Sequence, residues 1–217
     1  MASAAQESAE RALRAAISRG DMPPGHRLVE AELVALTGVS RSAVRLAIDA
    51  LIAEGLVERI PHRGARVRIV STAEAVAITE CRMALEGLLA RKAAERITPA
   101  EIVPLRGHLR VMTDAVDGGD LLKYSDLIQQ LHGMVHDAAR HPIAAGLVGR
   151  LQAQLVRHQF QLSLRPGRPR VSLAELTALV DAVTARDPER AEAAAVAHVR
   201  SIVDALSEPV QQTGDPA

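Results

Sequence analysis

The pattern of apolar and polar residues changes once along the chain, near residue 70. Before that point it predicts three short helices, over residues 5–18, 29–37 and 41–54, each followed by a glycine that would end it. Two segments with alternating polarity follow at 56–60 and 65–70, and the Pro61-His62-Arg63-Gly64 turn separates them. This alternation around a turn indicates a β-hairpin. Three helices and a hairpin within 70 residues predict a winged helix-turn-helix.

After residue 70 the apolar residues recur with helical spacing up to about residue 207. Capping-box spacing marks helix starts at Ser71, Thr98 and Ser172, and the Asp187-Pro188 pair marks another. The basic segment 165–170 is predicted to be a loop. Apolar residues four apart form two clear stripes, Ile143, Leu147, Leu151 and Leu155 on one helix and Ala195, Val199, Ile202 and Leu206 on another.

These patterns predict a mainly α protein with two domains. An N-terminal winged helix-turn-helix would occupy residues 1–70, and an all-α antiparallel helical bundle would occupy residues 71–210. The tail at 211–217 is expected to be disordered. Tyr124 and Phe160 are the two aromatic residues of the 217, so the core must be built from smaller aliphatic side chains. That composition fits packed helices better than a sheet protein.

Several classes of protein are excluded or disfavoured by composition. Cys81 is the single cysteine, which rules out an intramolecular disulfide and a cysteine-rich zinc module. No apolar run is long enough to span a membrane, and the first 20 residues lack the features of a secretion signal, so we expect a cytoplasmic protein. No nucleotide-binding, hydrolase or metalloprotease motif is present, so we expect no catalytic residues. Burial is expected to keep Cys81 unreactive.

The charge is balanced overall, with 26 basic and 26 acidic residues, but it is uneven locally. Residues 39–68 contain six arginines and three acidic residues. Arg41 and Arg45 share one face of the third helix, as expected for a helix that enters a major groove. They can contact guanine or phosphate. The hairpin tip at His62, Arg63 and Gly64 would reach phosphate or the minor groove, with Gly64 removing a Cβ where backbones approach.

The order and spacing of these residues resemble the DNA-binding domain of GntR-family bacterial transcription regulators. The resemblance covers residues 10–70 and rests on the segments 24–28, 32–33, 38–41, 44–45, 54–57 and 63–65. Leu46 departs from the glutamate common in the family, and the sequence leaves open what Leu46 packs against. The resemblance and the charge pattern together predict a DNA-binding set made up of Arg27, Ser40, Arg41, Ser42, Arg45, His62, Arg63 and Gly64.

Residues 73–207 resemble the effector-binding FCD domain of the FadR-like branch of that family. The resemblance rests on Arg82, Glu86, Leu131-His132, His141-Pro142, Arg186-Asp187 and His198. Many FCD domains bind a divalent metal through one aspartate and three histidines. In this chain those positions fall on Ile128, His132, Leu176 and His198, so two imidazoles remain. Because two ligands are too few, and His136 is expected on a solvated face, we expect no cofactor and no metal.

The resemblance instead implies a pocket for a small organic effector, lined by Arg82, Ile128, His132, Leu176 and His198. Arg82 would meet an anionic group of the effector, or it could simply pair with Glu86. Two alternatives stay open for the histidines: a metal held by His132 and His198 with non-standard ligands, or ordinary core histidines with satisfied partners. The family pattern further implies a homodimer on a palindromic operator, acting as a repressor. A helical small-molecule-binding dimer without DNA binding is the remaining alternative.

Overall fold

A computed structural model of the protein describes residues 3–155, 158, 162 and 165–208. Phe160 and the predicted tail at 211–217 therefore lie outside the described residues. The chain divides into two compact units, one reaching to Ser71 and including a segment from Gln152, the other running from Thr72 to Leu151 and resuming at His158. Among the described residues, no helix combines the length and apolar character that crossing a bilayer requires.

The first unit contains three helices and a small sheet, as the sequence predicts. Its elements are α1 (Ala4–Arg19), β1 (Arg27–Leu28), α2 (Glu30–Thr37), α3 (Arg41–Ala53), β2 (Val57–Ile60) and β3 (Gly64–Val67). The sheet has the antiparallel order β1-β3-β2. Helix α3 has one buried apolar stripe, in which Val44 and Leu51 are fully enclosed beside Leu13 of α1.

Two details of this unit differ from the sequence prediction. The sheet has a third strand, β1, which pairs Arg27 with Arg66 and Leu28 with Ala65. Two residues are too few to show alternation, so the sequence pattern could not reveal it. Gly64 also serves a different purpose from the one expected. No atom lies within 4 Å of an added Cβ there, and the φ of +87° is what favours glycine.

The second unit consists of packed helices around one aliphatic core. Its elements are α4 (Thr72–Arg96), α5 (Pro99–Asp117), α6 (Leu121–Ala139), α7 (Pro142–Ala153), α8 (Arg168–Thr184) and α9 (Pro188–Ser207). The long helix α4 contacts α6, α8 and α9. Leu89 of α4, Leu131 of α6 and Leu176 of α8 are fully buried in the shared core.

Two sequence predictions about buried helix faces in the second unit are wrong. Ile143 and Leu147 of the predicted α7 stripe are exposed, and α7 instead buries Ala144 and Val148, one residue further along. Cys81 is also exposed. In both cases the helix was predicted correctly, but the neighbouring helices cover a different face.

The predicted loop at 165–170 is helical in its second half. Helix α8 begins at Arg168 after Gly167, and Pro169 stands in its first turn, where the missing amide hydrogen costs nothing. Ser172 is consequently a buried residue inside the helix rather than its N-cap.

Helix α5 begins with a capping interaction that should make stability depend on pH. The backbone N–H and the hydroxyl of Thr98 both donate to Glu101, at 2.8 and 2.7 Å. Hydrogen bonds from Thr98, with a further contribution from Arg140, lower the pKa of Glu101 to about 2. A carboxyl with a lowered pKa stabilises the fold above its unfolded pKa of about 4.5, and this contribution is lost as the pH falls toward 2.

We therefore expect Glu101→Gln to reduce the free energy of unfolding by about 1 kcal/mol at pH 7, after allowance for solvent screening of this half-exposed group. The difference from the wild type should shrink steadily below pH 4.5. Urea unfolding at several pH values measures it, with Glu80→Gln on α4 as the control, since Glu80 is an exposed carboxylate that forms no ion pair with the described residues. An equal difference at pH 7 and pH 3 would contradict the assignment.

Candidate functional site

The exposed face of α3 begins at a well-formed helix cap. Ser40 precedes the helix, and its Oγ accepts a hydrogen bond from the Ala43 N–H at 3.3 Å and lies 3.0 Å from Ser42 Oγ. Because Ala43, Val44, Ala47, Ile48 and Leu51 face the core, Arg41, Ser42 and Arg45 are left on the surface. Leu46 is 51% exposed, so it belongs to the surface too.

Arg41 and Arg45 share one carboxylate. Arg41 Nε donates to Glu30 Oε2 at 2.6 Å, and Arg45 Nε donates to Glu30 Oε1 at 2.8 Å. The two arginine side chains remain 71% and 59% exposed. Hydrogen bonds from Arg45 and Arg41 lower the pKa of Glu30. The pair is thus held side by side at the surface, with more than half of each side chain exposed to solvent.

The hairpin completes a positively charged groove beside α3. His62 adopts a φ of +60° at the tip, and His62, Arg63 and Gly64 are all exposed. Arg27 Nη2 donates to the Arg63 carbonyl at 3.2 Å, which ties β1 to the tip. The residues that line the groove include five arginines and two carboxylates: Arg27, Arg41, Arg45, Arg59, Arg63, Glu30 and Asp49.

Six of the eight predicted DNA-binding residues line this one groove, namely Arg27, Arg41, Arg45, His62, Arg63 and Gly64. Ser40 and Ser42 lie at the exposed start of α3. Glu30 was not predicted, because it comes eleven residues before Arg41 and no local pattern connects them. Asp49, which forms an ion pair with Arg59, was likewise not predicted to lie in the groove.

A second set of polar groups is buried in the helical unit. Arg82 on α4 is 1% exposed, and its Nη2 donates to Glu86 Oε1 at 3.0 Å, one helical turn away. Two other atoms of the same guanidinium, Nε and Nη1, are buried without a hydrogen-bond partner. A buried donor without an acceptor costs about 1–3 kcal/mol, so these two unpaired atoms call for an explanation.

Two histidines lie beside the other oxygen of Glu86, and a third histidine lies next to one of them. Glu86 Oε2 lies 3.2 Å from His136 Nε2 and 3.5 Å from His132 Nδ1. The His132 ring centre lies 6.1 Å from that of His136 and 5.7 Å from that of His198. His136 is only 12% exposed, so its predicted place on a solvated face is wrong. Helix α4 covers the side of α6 that the sequence pattern left open.

His198 is held from the opposite side by α8. Its Nδ1 lies 2.8 Å from Glu175 Oε2, and because a carboxylate can only accept, Nδ1 carries the hydrogen. Arg168 contacts the same carboxylate at 3.3 Å, and its Nη1 donates to Ser201 Oγ at 2.7 Å. The predicted basic loop therefore supplies an arginine that fixes Glu175.

Burial and charge together set the protonation of the cluster. Burial alone would raise the pKa of Glu86, but His132, His136 and Arg82 outweigh it and hold this pKa well below its usual range. Burial lowers the pKa of His198, although Glu175 opposes this effect. At neutral pH the cluster accordingly contains an ionised Glu86 and a neutral His198.

The structure brings three of the five predicted effector-site residues together: Arg82, His132 and His198. Leu176 is fully buried in the apolar core, and Ile128 packs against that core. Neither can bind a metal, because their hydrocarbon side chains have no donor atom. The aspartate and histidine positions implied by the family resemblance therefore do not fit a metal in this chain. Glu86 and His136 stand beside the histidines instead, with Glu86, His132 and His136 offering donor atoms all within 4.8 Å of one another.

Each of the two units matches the model of a known protein family. The model for "Bacterial regulatory proteins, gntR family" matches residues 5–67, and the FCD domain model matches residues 77–201. The chain belongs to the GntR family. It is a DNA-binding transcriptional regulator with an effector-binding C-terminal domain, as the resemblance implied.

Relatives of this GntR-family regulator extend over most of the chain. The HTH-type transcriptional repressor RspR of Escherichia coli (strain K12) is 27% identical over 205 residues, covering 94% of this chain and 90% of RspR. A probable D-xylose utilization operon transcriptional repressor of Paenarthrobacter nicotinovorans is 33% identical over 194 residues. The match covers 88% of this chain and 84% of that repressor. The solved structure of E. coli McbR/YncC has the same fold, with a TM-score of 0.81 and 21% sequence identity. The match covers 94% of this chain and 97% of the McbR/YncC chain.

Proposed function

We propose that this regulator is a homodimeric repressor that binds a palindromic operator and releases it when a small organic anion binds the buried polar cluster. The observation that carries the DNA-binding part is the groove beside α3, where five arginines face two carboxylates. Arg41 and Arg45 would enter the major groove with α3, and Arg63 and His62 would contact the backbone or the minor groove. Repression is supported by two relatives that are named repressors.

The anion is proposed from the hydrogen-bonding state of Arg82. Its Nε and Nη1 donors are buried without acceptors, whereas its Nη2 is already bound to Glu86. A carboxylate or similar oxyanion would accept from both free donors and would remove their desolvation cost. The ligand can control DNA binding only if it binds two arrangements of the protein with different affinity.

A footprinting experiment on the DNA upstream of the protein's own gene tests this proposal. We expect a protected sequence with two symmetric halves whose centres are about one helical turn apart, roughly 10 base pairs. Protection should weaken steeply between about 50 and 200 mM salt, since several phosphates are contacted. Absence of protection at low salt, on this DNA and on random genomic fragments, would contradict DNA binding through this groove.

Glu30 should limit DNA affinity, because its carboxylate occupies the same two guanidinium groups that DNA would contact. We expect Glu30→Gln to strengthen binding to non-specific duplex DNA at low salt by about 2- to 5-fold, the range for an exposed ion pair. Fluorescence anisotropy with a labelled duplex measures this change.

Glu32→Gln is the matched control, since Glu32 is an exposed carboxylate in the same first turn of α2 and does not line the groove. It should change the affinity much less. Weaker binding by Glu30→Gln would show that Glu30 orients the two arginines for DNA rather than competing for them.

A further inference from the structure

Helix α3 carries a large apolar side chain on its outer side. Leu46 is 51% exposed, whereas the other large apolar residues of the helix are buried or half-buried: Val44, Ile48, Leu51 and Ile52. Successive side chains of an α-helix are about 100° apart, and Leu46 is two positions from both Val44 and Ile48. Leu46 therefore lies opposite the buried stripe through which α3 packs in the first unit. The outer half of this side chain is thus available to a ligand of α3.

The residues around Leu46 form an uncharged surface with arginine on one flank. Ser42, one turn earlier, and Ala53, two turns later, are exposed on the same side of the helix as Leu46. We call these three residues the outer face of α3. Arg45 is about 100° around the helix from Leu46 and remains 59% exposed. Asp49 lies toward the same flank as Arg45, and its charge is paired.

The position and the charge of this surface favour duplex DNA as the partner that covers it. Leu46 is the sixth residue of α3, in the half of a recognition helix that contacts base edges. The side of such a helix that points away from the protein core lies deepest in the major groove, and here that side is the outer face. Arg41 and Arg45 on the flank are suited to phosphates or guanine. A row of phosphates matches this flank better than an apolar protein surface does.

The chemistry of the major groove decides which base suits Leu46. The ring nitrogens, carbonyl groups and amino groups on the base edges lose hydrogen bonds to water when an apolar side chain covers them. The 5-methyl group of thymine is apolar and is stabilised by the same contact. Leucine also excludes the negative charge that the glutamate common in the family brings to this position. A leucine at position 46 therefore favours thymine.

We propose that Leu46 selects thymine by packing against its 5-methyl group, at one base pair in each half of the operator. This assignment rests on the proposed insertion of α3 into the major groove. Arg45 provides charge and hydrogen bonds to phosphate or guanine, whereas Leu46 provides an apolar contact to thymine. The two residues therefore determine different parts of the recognised sequence.

Replacing thymine by uracil in the DNA tests this contact with the full-length wild-type protein. Uracil has the same hydrogen-bonding edge as thymine and lacks the methyl group. The duplex is the footprinted operator or, where that DNA is not protected, the best duplex selected by the protein from a random pool. Thymines are replaced one at a time, and affinity is measured by fluorescence anisotropy. We expect one thymine in each half at which uracil lowers affinity about 2- to 5-fold, as for one buried methyl group, and little change elsewhere.

Variants of the protein assign the effect to Leu46. Leu46→Ala should bind the thymine duplex about 2- to 10-fold more weakly and should no longer distinguish thymine from uracil. Leu46→Met keeps an apolar side chain of similar volume and should still prefer thymine. Leu36→Ala is the matched control, since Leu36 is a 61% exposed leucine on α2 that does not line the groove. It should prefer thymine as strongly as the wild type does.

Two results would overturn the assignment: uracil tolerated at every thymine of a protected operator, or a full preference for thymine in Leu46→Ala. The first result would leave the proposed function intact, because the operator is still protected. A protein that binds no duplex even at low salt would overturn the proposed function together with this assignment. A changed sedimentation coefficient of Leu46→Ala, with the thymine preference unaltered, would assign the outer face to a second copy of the chain instead.

Discussion

Arg45→Ala is expected to weaken operator binding about 5- to 150-fold if Arg45 contacts a base. Arg45 is 59% exposed on the face of α3 opposite its buried stripe, and its partner Glu30 is at the surface as well. Its loss should therefore leave the fold intact and act on DNA binding alone. If Arg45 contacts phosphate instead, affinity should fall uniformly across sequences and the salt dependence should become shallower by about one unit.

Gel shifts over a series of salt concentrations separate these two outcomes. Arg19→Ala is the matched control, since Arg19 is an exposed arginine of the same unit, paired with Asp21 at 3.0 Å and absent from the groove. It should bind the operator like the wild type. Unchanged affinity of Arg45→Ala at every salt concentration would remove α3 from the interface.

Arg82→Met is expected to destabilise the protein by about 3 kcal/mol, since it leaves the buried Glu86 carboxylate without its guanidinium partner. The melting temperature of the helical unit should fall by about 6–12 °C. The response of DNA binding to an anionic effector should also disappear, because the free donors of Arg82 are removed with it.

The double variant Arg82→Met/Glu86→Leu tests whether the pair exists for stability or for ligand binding. Removing both partners of a buried ion pair is often neutral or stabilising, and here it also removes two unpaired donors. We expect its melting temperature to lie above that of Arg82→Met, although His136 loses its Glu86 contact, while the effector response stays absent. A double variant as unstable as Arg82→Met would show that the pair itself holds the helices together.

The sequence alone predicts the local parts of this molecule well. The α3 helix, its Ser40 cap and the hairpin are each encoded within a few neighbouring residues, so their pattern is visible without the fold. The positively charged surface follows, because the buried stripe of α3 forces Arg41 and Arg45 outward.

Contacts between distant residues could not be predicted in the same way. Glu30 reaches Arg41 across a turn, and Glu86 reaches His136 across 50 positions. Which face of a bundle helix is buried depends on its neighbours, and for this reason His136, Cys81 and Ile143 were all placed on the wrong side. An Ala-rich helix has only a weak apolar stripe, so its orientation is poorly marked in the sequence.

Hydrogen exchange measured by mass spectrometry, with and without operator DNA, tests most directly whether α3 and the hairpin form the DNA interface. With DNA bound, we expect slower exchange across the start of α3 and across the β2–β3 turn, and little change at the outer face of α1. Slower exchange confined to the helical unit, with α3 and the turn unaffected, would contradict the account.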